Sequence, residues 1–337
     1  MNDAVQSHTN PSRPAGSGGP PLGVLTGFDD SEQGRLALHY AAAEAHGRSV
    51  PLTVVSAFTV PRAVAGYTDS AAEVTGDSLA RQGAEQVLER ARERLSTYPG
   101  EVTYRVEHGD AAGVLVALSA EAELTVVGGR GRGGFIGRVL GSVASALPAH
   151  AACPTVVVNH HYEPVTDHAS RFTHGADERP IIVGVDGSDH GRVAALHAAE
   201  TASAWNAPLR MVLAMPPLDH ALMWYPELAG RGAGVVEQQK QQLQEKLDGE
   251  VRWLSGHFPS LEITGRVEEG PAITIMREAS ENAQLTVVGT RGRGGITSAL
   301  LGSVSRGTLL GARGPVMVVP ALEDPRLSSV TEVQPRL

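Results

Sequence analysis

The strongest constraint on this chain is that it contains the same unit twice. Its first copy carries Gly27–Arg35, which returns in the second copy as Gly184–Arg192. Three further motifs return in the same order: Leu124–Gly128 as Leu285–Gly289, Leu140–Val143 as Leu301–Val304, and Pro154–Val158 as Pro315–Val319. A repeat of roughly 160 residues is too long for a solenoid unit and indicates two whole domains.

Each copy alternates short apolar runs with helical patterns. The runs are bounded by turn residues and predict strands, and Ser31 is a suitable N-cap for the first helix. The predicted strands are 22–28, 52–58, 102–106, 124–128 and 154–159, then 181–186, 209–215, 261–267, 285–289 and 315–319. The predicted helices are 32–46, 84–95, 111–122 and 142–151, then 189–205, 234–255, 271–282 and 303–311. This alternation predicts an α/β fold with two tandem, doubly wound, parallel five-stranded sheets flanked by helices.

The composition supports packed domains joined by polar segments. Residues with apolar side chains make up 42% of the 337 positions, which excludes disorder throughout. The stretch before the first copy, the stretch between the copies and the stretch after Pro320 are polar and lack periodicity. We predict a disordered tail over 1–20, domains over 21–160 and 180–321, a linker over 161–179 and a C-terminal tail over 322–337.

The charge balance excludes several functional classes. The net charge is −9, which argues against general nucleic-acid binding. Lys240 and Lys246 are the only lysines, so the chain has no Walker-type phosphate loop. Cys153 is the only cysteine and is expected to be a small buried thiol. No apolar run is long enough to span a membrane, and we expect a cytoplasmic protein.

The loop after the fourth strand of each copy is the first candidate binding element. Gly128-x-x-Gly131 is followed after nine residues by Gly141-Ser142, which opens a helix. Glycines allow backbone N–H groups to approach an anion, and a helix start attracts phosphate. The same spacing returns in copy two as Gly289-x-x-Gly292, nine residues and Gly302-Ser303. In the absence of lysine, we expect positive charge from Arg130 and Arg132 in copy one and from Arg291 and Arg293 in copy two.

The second candidate element is the carboxylate that ends the first strand of each copy. Asp29 and Asp186 should emerge at the same edge of the sheet as the glycine loop. Such a carboxylate can accept a hydrogen bond from a ribose or a base, or hold a divalent ion through water. A helix-capping or turn role is the alternative, and sequence alone leaves these open.

Together these motifs resemble the universal stress protein family in its tandem two-domain form. ATP-binding members share the pattern G-x2-G-x9-G-[S/T], and both copies match it in full. The first-strand Asp followed by Ser, and Gly-Ser-Val before a helix and a Pro-led strand, are also similar to that family. The resemblance covers about 22–159 and 180–320. It implies a Rossmann-like fold of the adenine nucleotide alpha hydrolase type.

The resemblance also implies site residues and partners. Asp29 and Asp186 would face the nucleotide, with Gly27 and Gly184 allowing close approach beside them, and backbone near Ala57 and Met215 would meet the adenine. The implied phosphate cradles are Gly128, Gly131, Gly141, Ser142 and Val143, and Gly289, Gly292, Gly302, Ser303 and Val304. The implied ligand is ATP, with or without Mg²⁺. Family members commonly pair through their last strands, which here implies either a homo-oligomer or a pseudo-dimer within one chain.

Three differences between the copies predict unequal sites. Copy one has Asp30 where copy two has Gly187, and an extra carboxylate near phosphates would weaken anion binding unless a metal intervenes. Pro148 should bend or end the last helix of copy one. The loop of copy one also contains more glycine. We therefore expect copy two to bind ATP more tightly.

The leading interpretation is a nucleotide-dependent regulator of the stress response, with at most slow hydrolysis and with an unidentified protein partner. No catalytic histidine or Walker lysine is placed to drive fast turnover. The alternatives are a nucleotide-free scaffold, a slow ATPase or adenylyl-transfer enzyme, and a flavin-binding module. The histidines of the predicted linker fit no standard metal site and are expected to be solvated.

Overall fold

The computed structural model describes residues 22–59, 70–131, 140–165, 167, 171–174, 177–217, 232–292 and 301–329. The strands are β1 Val24–Gly27, β2 Leu52–Phe58, β3 Val102–His108, β4 Leu124–Gly128, β5 Thr155–Val158, β6 Ile181–Val185, β7 Leu209–Met215, β8 Ile263–Glu269, β9 Leu285–Gly289 and β10 Val316–Val319. The helices are α1 Glu32–Arg48, α2 Ser70–Arg94, α3 Ala111–Leu118, α4 Ser142–His150, α5 Asp189–Trp205, α6 Gly232–His257, α7 Ala272–Ala279 and α8 Ser303–Gly311. Every predicted strand and helix is therefore present, with most bounds within two residues.

The first helix of each copy begins and ends by the same chemistry. Ser31 caps α1 by accepting a hydrogen bond from the Gly34 N–H, and Ser188 caps α5 by accepting one from the Gly191 N–H. The N-cap prediction for Ser31 is thus confirmed. Both helices end at a residue in the left-handed conformation, which stops the helical ladder.

The ten strands form one continuous sheet with the order β3-β2-β1-β4-β5-β10-β9-β6-β7-β8. Pairing within each copy is parallel, which confirms the doubly wound α/β prediction. The copies join through antiparallel pairing of β5 with β10, in the register Met317 opposite Val156. The last strands therefore pair within one chain, and the two predicted sheets are halves of a single larger one.

Apolar side chains cover both faces of this sheet. One face packs against α1, α2, α5 and α6 through residues such as Val54, Leu196 and Met211. The other face packs against α3, α4, α7 and α8 through residues such as Leu25 and Val157. The central strands are buried on both sides, as their nearly continuous apolar sequences require.

The segment between the copies is more than a solvated linker. Phe172 belongs to the core, and His174 stacks on Trp205 of α5 with ring centroids 3.8 Å apart. His174 Nε2 also lies 3.0 Å from Oε1 of Glu44, a buried carboxylate of α1. The expectation of a solvated histidine is therefore wrong for His174, because aromatic and ionic contacts from both copies bury it.

Glu44 stays charged although it is buried. Burial raises the pKa of its carboxyl, but the positive charge of Arg48 and the contact with His174 outweigh burial and hold the pKa at about 2. Arg48 Nε donates to Glu44 Oε2 over 2.7 Å. Polar residues of the first copy thus anchor the intervening segment beside the second copy.

The described part of the segment after Pro320, residues 321–329, contacts the second copy. Arg326 donates to Glu200 of α5 and to Asp324, and a short 3-10 helix runs from Pro325 to Ser329. Pro148 lies inside α4 but does not shorten it, since α4 and α8 both have 9 residues. Among the described residues, no helix is both long enough and apolar enough to cross a bilayer.

Candidate functional site

A cavity of about 370 Å³ opens in copy one where the strand order reverses between β1 and β4. Its walls include Asp29 at the end of β1, Gly131 and Ser142 from the glycine loop, and Ala57 at the end of β2. Ligands of doubly wound sheets bind at this position. The residues from the two predicted motifs therefore surround a single cavity.

The carboxylate and the glycine loop of copy one are in direct contact. Asp29 Oδ1 accepts a hydrogen bond from the Ser31 N–H over 2.9 Å. A Cβ placed on Gly131 would lie 2.6 Å from Asp29 Oδ2, so a side chain at this position would displace the carboxylate. Glycine at this position thus allows the loop to cross directly over the carboxylate.

Copy two repeats this contact. Asp186 Oδ1 accepts from the Ser188 N–H over 3.0 Å and from the Ser188 hydroxyl over 2.6 Å. A Cβ on Gly292 would lie 2.5 Å from Asp186 Oδ2. In both copies the carboxylate therefore accepts a hydrogen bond from the serine that caps the first helix, which is the capping or turn role that the sequence left open. Its second oxygen also lies where the side chain of any residue other than glycine would begin at the second loop glycine.

The helix that follows each loop starts without a side-chain cap. The Gly141 N–H bonds to the Gly129 carbonyl, and the first bond within α4 runs from the Ser145 N–H to the Gly141 carbonyl. In α8 the Gly302 N–H likewise bonds to the Thr290 carbonyl, and no side chain caps the helix. Early N–H groups without a side-chain cap, together with the helix dipole, favour an anionic ligand.

The first glycine of the loop has a packing role in copy one. A Cβ on Gly128 would lie 2.7 Å from the backbone carbon of Gln33, at the start of α1. Gly27 similarly faces Leu115 of α3, whose Cδ1 would lie 2.7 Å from the added carbon. These glycines let helices approach the sheet closely, a role that the predictions of a phosphate cradle at Gly128 and of close ligand approach at Gly27 did not include.

Comparison with known proteins agrees with this architecture. The model of the universal stress protein family matches residues 23–159 and 178–320. This chain belongs to the universal stress protein family. A universal stress protein of Mycobacterium tuberculosis is 33% identical over 313 residues, covering 90% of this chain and 97% of that one. One from Mycolicibacterium smegmatis is 32% identical over 307 residues, covering 88% and 96%.

Solved structures share the tandem fold. A universal stress protein from Archaeoglobus fulgidus superposes with a TM-score of 0.60 at 18% identity, covering 90% of this chain and 97% of that chain. A Pseudomonas aeruginosa protein superposes with a TM-score of 0.54 at 19% identity, covering 89% and 93%. At these identities the similarity shows the fold alone.

In this universal stress protein, three arginines pair with the carboxylate of Asp30 and compensate its negative charge. Its carboxylate pairs with Arg35 of α1 at 2.8 Å and with Arg90 and Arg94 of α2 at 3.1 and 3.4 Å. The hydrogen bond from Arg35, assisted by the other two arginines, lowers the pKa of Asp30 to about 2. The three arginines therefore compensate the charge by which Asp30 was expected to weaken anion binding. Sequence reasoning did not identify Arg90 and Arg94 because they lie on α2, far from Asp30 in the chain.

Met215 lies one position beyond the residue of copy two that corresponds to Ala57. Strand register places Ala57 opposite Glu107 and Ala214 opposite Glu268, so Ala214 is the equivalent residue. The Met215 side chain is fully buried in the core on the other face of the sheet. Successive strand residues point to opposite faces, so a shift of one position reverses the side-chain direction.

Two of the four predicted arginines, Arg130 and Arg291, lie among the described residues. Arg130 lines the cavity, and its carbonyl accepts from the Ser31 hydroxyl at 3.3 Å. Arg291 is exposed. Arg132 and Arg293 lie outside the described residues. Walls of the cavity that sequence reasoning did not identify include Ala111 and Leu115 of α3.

The other candidate residues of copy one line the same cavity: Gly27, Gly128, Gly141 and Val143. In copy two, Gly184, Gly289 and Val304 hold the equivalent positions at the ends of β6 and β9 and at the start of α8. Ser303 is exposed at that helix start, as Ser142 is in copy one. The structure thus brings the predicted sets together in matching places.

Proposed function

We propose that this chain binds ATP at one site in each repeat and acts as a nucleotide-dependent regulator in the stress response. The observation that supports this most is the cavity of about 370 Å³ at the point of strand reversal, because its walls join Asp29 to the glycine loop and to a helix start without a side-chain cap. Cavities of about 300–1,000 Å³ hold small ligands.

The chemistry of the lining suits a nucleotide in two parts. The loop glycines and the start of α4 would bind the phosphates through N–H groups. Apolar residues such as Val55 and Leu115 would contact the base, and Asp29 would accept from the ribose. This division of roles follows from which groups carry N–H dipoles and which are apolar.

We expect Mg²⁺ to bind this site only together with the phosphates of the nucleotide. Asp29 is the one carboxylate among the residues that line the described cavity, and Asp30 is committed to arginines. Mg²⁺ sites in proteins commonly combine one or two carboxylates with substrate phosphates and water. We expect Mg²⁺ to strengthen ATP binding without binding the ligand-free chain.

The direct test is purification of the native chain, identification of released small molecules, and calorimetric titration with ATP and GTP with and without Mg²⁺. We expect two ATP molecules per chain at saturation. Absence of any nucleotide binding at millimolar ATP would favour the scaffold interpretation, and steady phosphate release would favour the slow enzyme.

Matched variants assign the sites. Gly131→Ala and Gly292→Ala each place a methyl group against the Asp carboxylate of one copy, and each should remove one ATP per chain. The prediction that copy two binds ATP more tightly still rests on the glycine loops. Segments 132–139 and 293–300 of these loops lie outside the described residues. A larger loss of affinity from Gly131→Ala than from Gly292→Ala would reverse that ranking.

A further inference from the structure

The outermost strands of the sheet, β3 and β8, each pair with one neighbouring strand. An outer strand presents backbone N–H and C=O groups that can pair with another chain, and proteins usually cover or charge such an edge. Hydrogen bonds in the two copies show that these edges are treated differently.

In copy two, a side chain seals the edge. The Leu209 N–H bonds to the Glu262 carbonyl, so even-numbered residues of β8 face β7 and odd-numbered residues face outward. The Gln244 side chain of α6 donates from Nε2 to the Gly265 carbonyl over 3.1 Å, and its Oε1 accepts from the Val267 N–H over 3.1 Å. The amide thus occupies the place of a peptide group from a further strand.

In copy one, the same edge is open. The Leu52 N–H bonds to the Glu101 carbonyl, and the Gly109 N–H bonds to the Phe58 carbonyl, so odd-numbered residues of β3 face β2. The residues that direct their backbone groups outward are Val102, Tyr104, Val106 and His108. Within the described part of the chain, no strand pairs with this side of β3.

The residue that could seal the edge differs between the copies. Leu88 in α2 and Leu95 directly after it are buried with the same spacing as Leu247 and Leu254 in α6, which places Glu85 at the position of Gln244. A carboxylate has no N–H donor and cannot copy a peptide group. Glu85 instead pairs with Arg81 at the surface, and its side chain is 54% exposed.

The charges along β3 and at Glu101 just before it are complementary to themselves in two antiparallel registers, of which one pairs more of the strand. Centring the pair on Arg105 would place two arginines opposite each other, and centring it on Tyr104 would place Glu107 opposite Glu101. Centring it on Glu107 would place two glutamates together. The register centred on Val106 places Arg105 opposite Glu107 on both sides of the symmetry axis, and opposite charges stabilise such pairs. A register centred on Thr103 would also place Arg105 opposite an acidic residue, Glu101, but it pairs only Val102–Tyr104 of β3 with the second copy, whereas the Val106 register pairs Tyr104–His108.

We propose that the open edge of β3 is a homodimer interface, at which β3 pairs antiparallel with β3 of a second copy and Val106 lies opposite the partner's Val106. The Arg105–Glu107 ion pair within the strand, with Arg105 Nε 2.8 Å from Glu107 Oε1, exchanges for two ion pairs between the chains. Tyr104, under the Arg92 guanidinium at 4.5 Å, then lies beside the partner's His108.

Sedimentation of the full chain over a concentration series tests the interface. We expect a dimer whose dissociation constant rises about tenfold or more in Glu107→Arg, because like charges then face each other. Restoring opposite charges with Arg105→Glu in the same chain should recover the dimer. The matched control is Glu268→Arg on β8, which should leave the dimer unchanged.

A chemical cross-link tests the register. Paired Cα atoms lie about 5.5 Å apart in a hydrogen-bonded antiparallel pair, within reach of a disulfide. Val106→Cys should therefore cross-link two chains on mild oxidation, whereas Val267→Cys on the sealed edge should not. The native Cys153 is buried and should not compete.

A monomeric native chain at all attainable concentrations would overturn the proposal. So would a dimer that Glu107→Arg leaves intact, or charge exchange that fails to recover it. If Glu107→Arg fails to fold, Val106→Pro serves in its place, since it removes one outward N–H and no charge. These outcomes do not depend on nucleotide binding.

Discussion

The two repeats connect their first two helices by different ionic arrangements at one equivalent arginine. In copy one, Arg35 is half exposed and joins Arg90 and Arg94 around Asp30. In copy two, the equivalent Arg192 is 4% exposed and pairs with Glu250, which is also 4% exposed. The same backbone therefore accommodates a surface cluster in one half and a buried pair in the other.

The residue after the first-strand Asp determines which arrangement forms. Asp30 and Gly187 both adopt positive φ, 58° and 79°. Aspartate tolerates this conformation better than most residues and brings a carboxylate to the arginines. With glycine at that position, the carboxylate must come from α6, and Glu250 supplies it from inside the helix pair. The energetic consequences should differ sharply.

The largest expected effect is on the buried pair. Glu250→Ala leaves the Arg192 guanidinium buried without its partner, whose Oε2 lies 2.9 Å from Nε. We expect a loss of about 3–5 kcal/mol in the free energy of unfolding, measured by urea denaturation. Replacing both residues, Arg192→Met with Glu250→Met, should recover most of the stability, because no charge remains buried. If Glu250→Ala alone lowers the free energy of unfolding by less than about 1 kcal/mol, the buried pair contributes no more than an exposed ion pair, which contradicts the prediction.

The second largest expected effect is a difference in stability between alanine variants of the first loop glycine in each copy, Gly128 and Gly289. Gly128→Ala places a methyl group 2.7 Å from the Gln33 backbone, which cannot move without shifting α1. In copy two, the nearest atom to the equivalent methyl of Gly289→Ala is the Arg291 carbonyl oxygen at 3.3 Å. We expect Gly128→Ala to cost about 1–3 kcal/mol and Gly289→Ala distinctly less. Equal losses in thermal unfolding would show that α1 and α5 approach the sheet equally closely.

These differences mark where sequence reasoning reached its limit. Short-range patterns were sufficient for the strands, the helices and the Ser31 cap, because hydrophobic period and capping chemistry act within a few residues. They also placed Asp29 and Gly131 at one edge of the sheet. Local patterns could not show that the two touch, since that contact depends on how the loop crosses β1.

The missed features all depend on residues distant in the chain. Asp30 meets Arg90 only because α2 packs beside α1, and Gln244 meets β8 only because α6 lies over that edge. His174 is buried because both copies contribute to its surroundings. The offset of Met215 by one position from Ala214 is a separate matter: the alternation of strand residues gives no internal mark of register, so equivalent positions of two strands can be misjudged by one residue.

The smallest expected effect is on the surface cluster, and it depends on pH. Asp30→Asn keeps a residue that tolerates positive φ and removes only the charge. The pKa of Asp30 is lowered from 3.8 to about 2 in the folded chain, so its contribution is fully present above about 4 and is lost as the pH falls toward about 2. Because the arginines are 40–48% exposed, we expect a loss of about 0.5–1 kcal/mol at neutral pH.

Urea denaturation of the native chain and of the Asp30→Asn variant across this pH range measures the difference between their free energies of unfolding. The difference between native and variant should narrow as the solution becomes acidic, since protonated aspartic acid and asparagine then interact with the arginines alike. Arg81→Gln is the control, because its ion pair with Glu85 is fully at the surface and distant from Asp30 in the chain. A difference that stays constant down to about pH 3 would contradict the assigned ionic role. The stabilisation by Asp30 would then come from its backbone conformation, and the two repeats would differ in turn geometry rather than in charge.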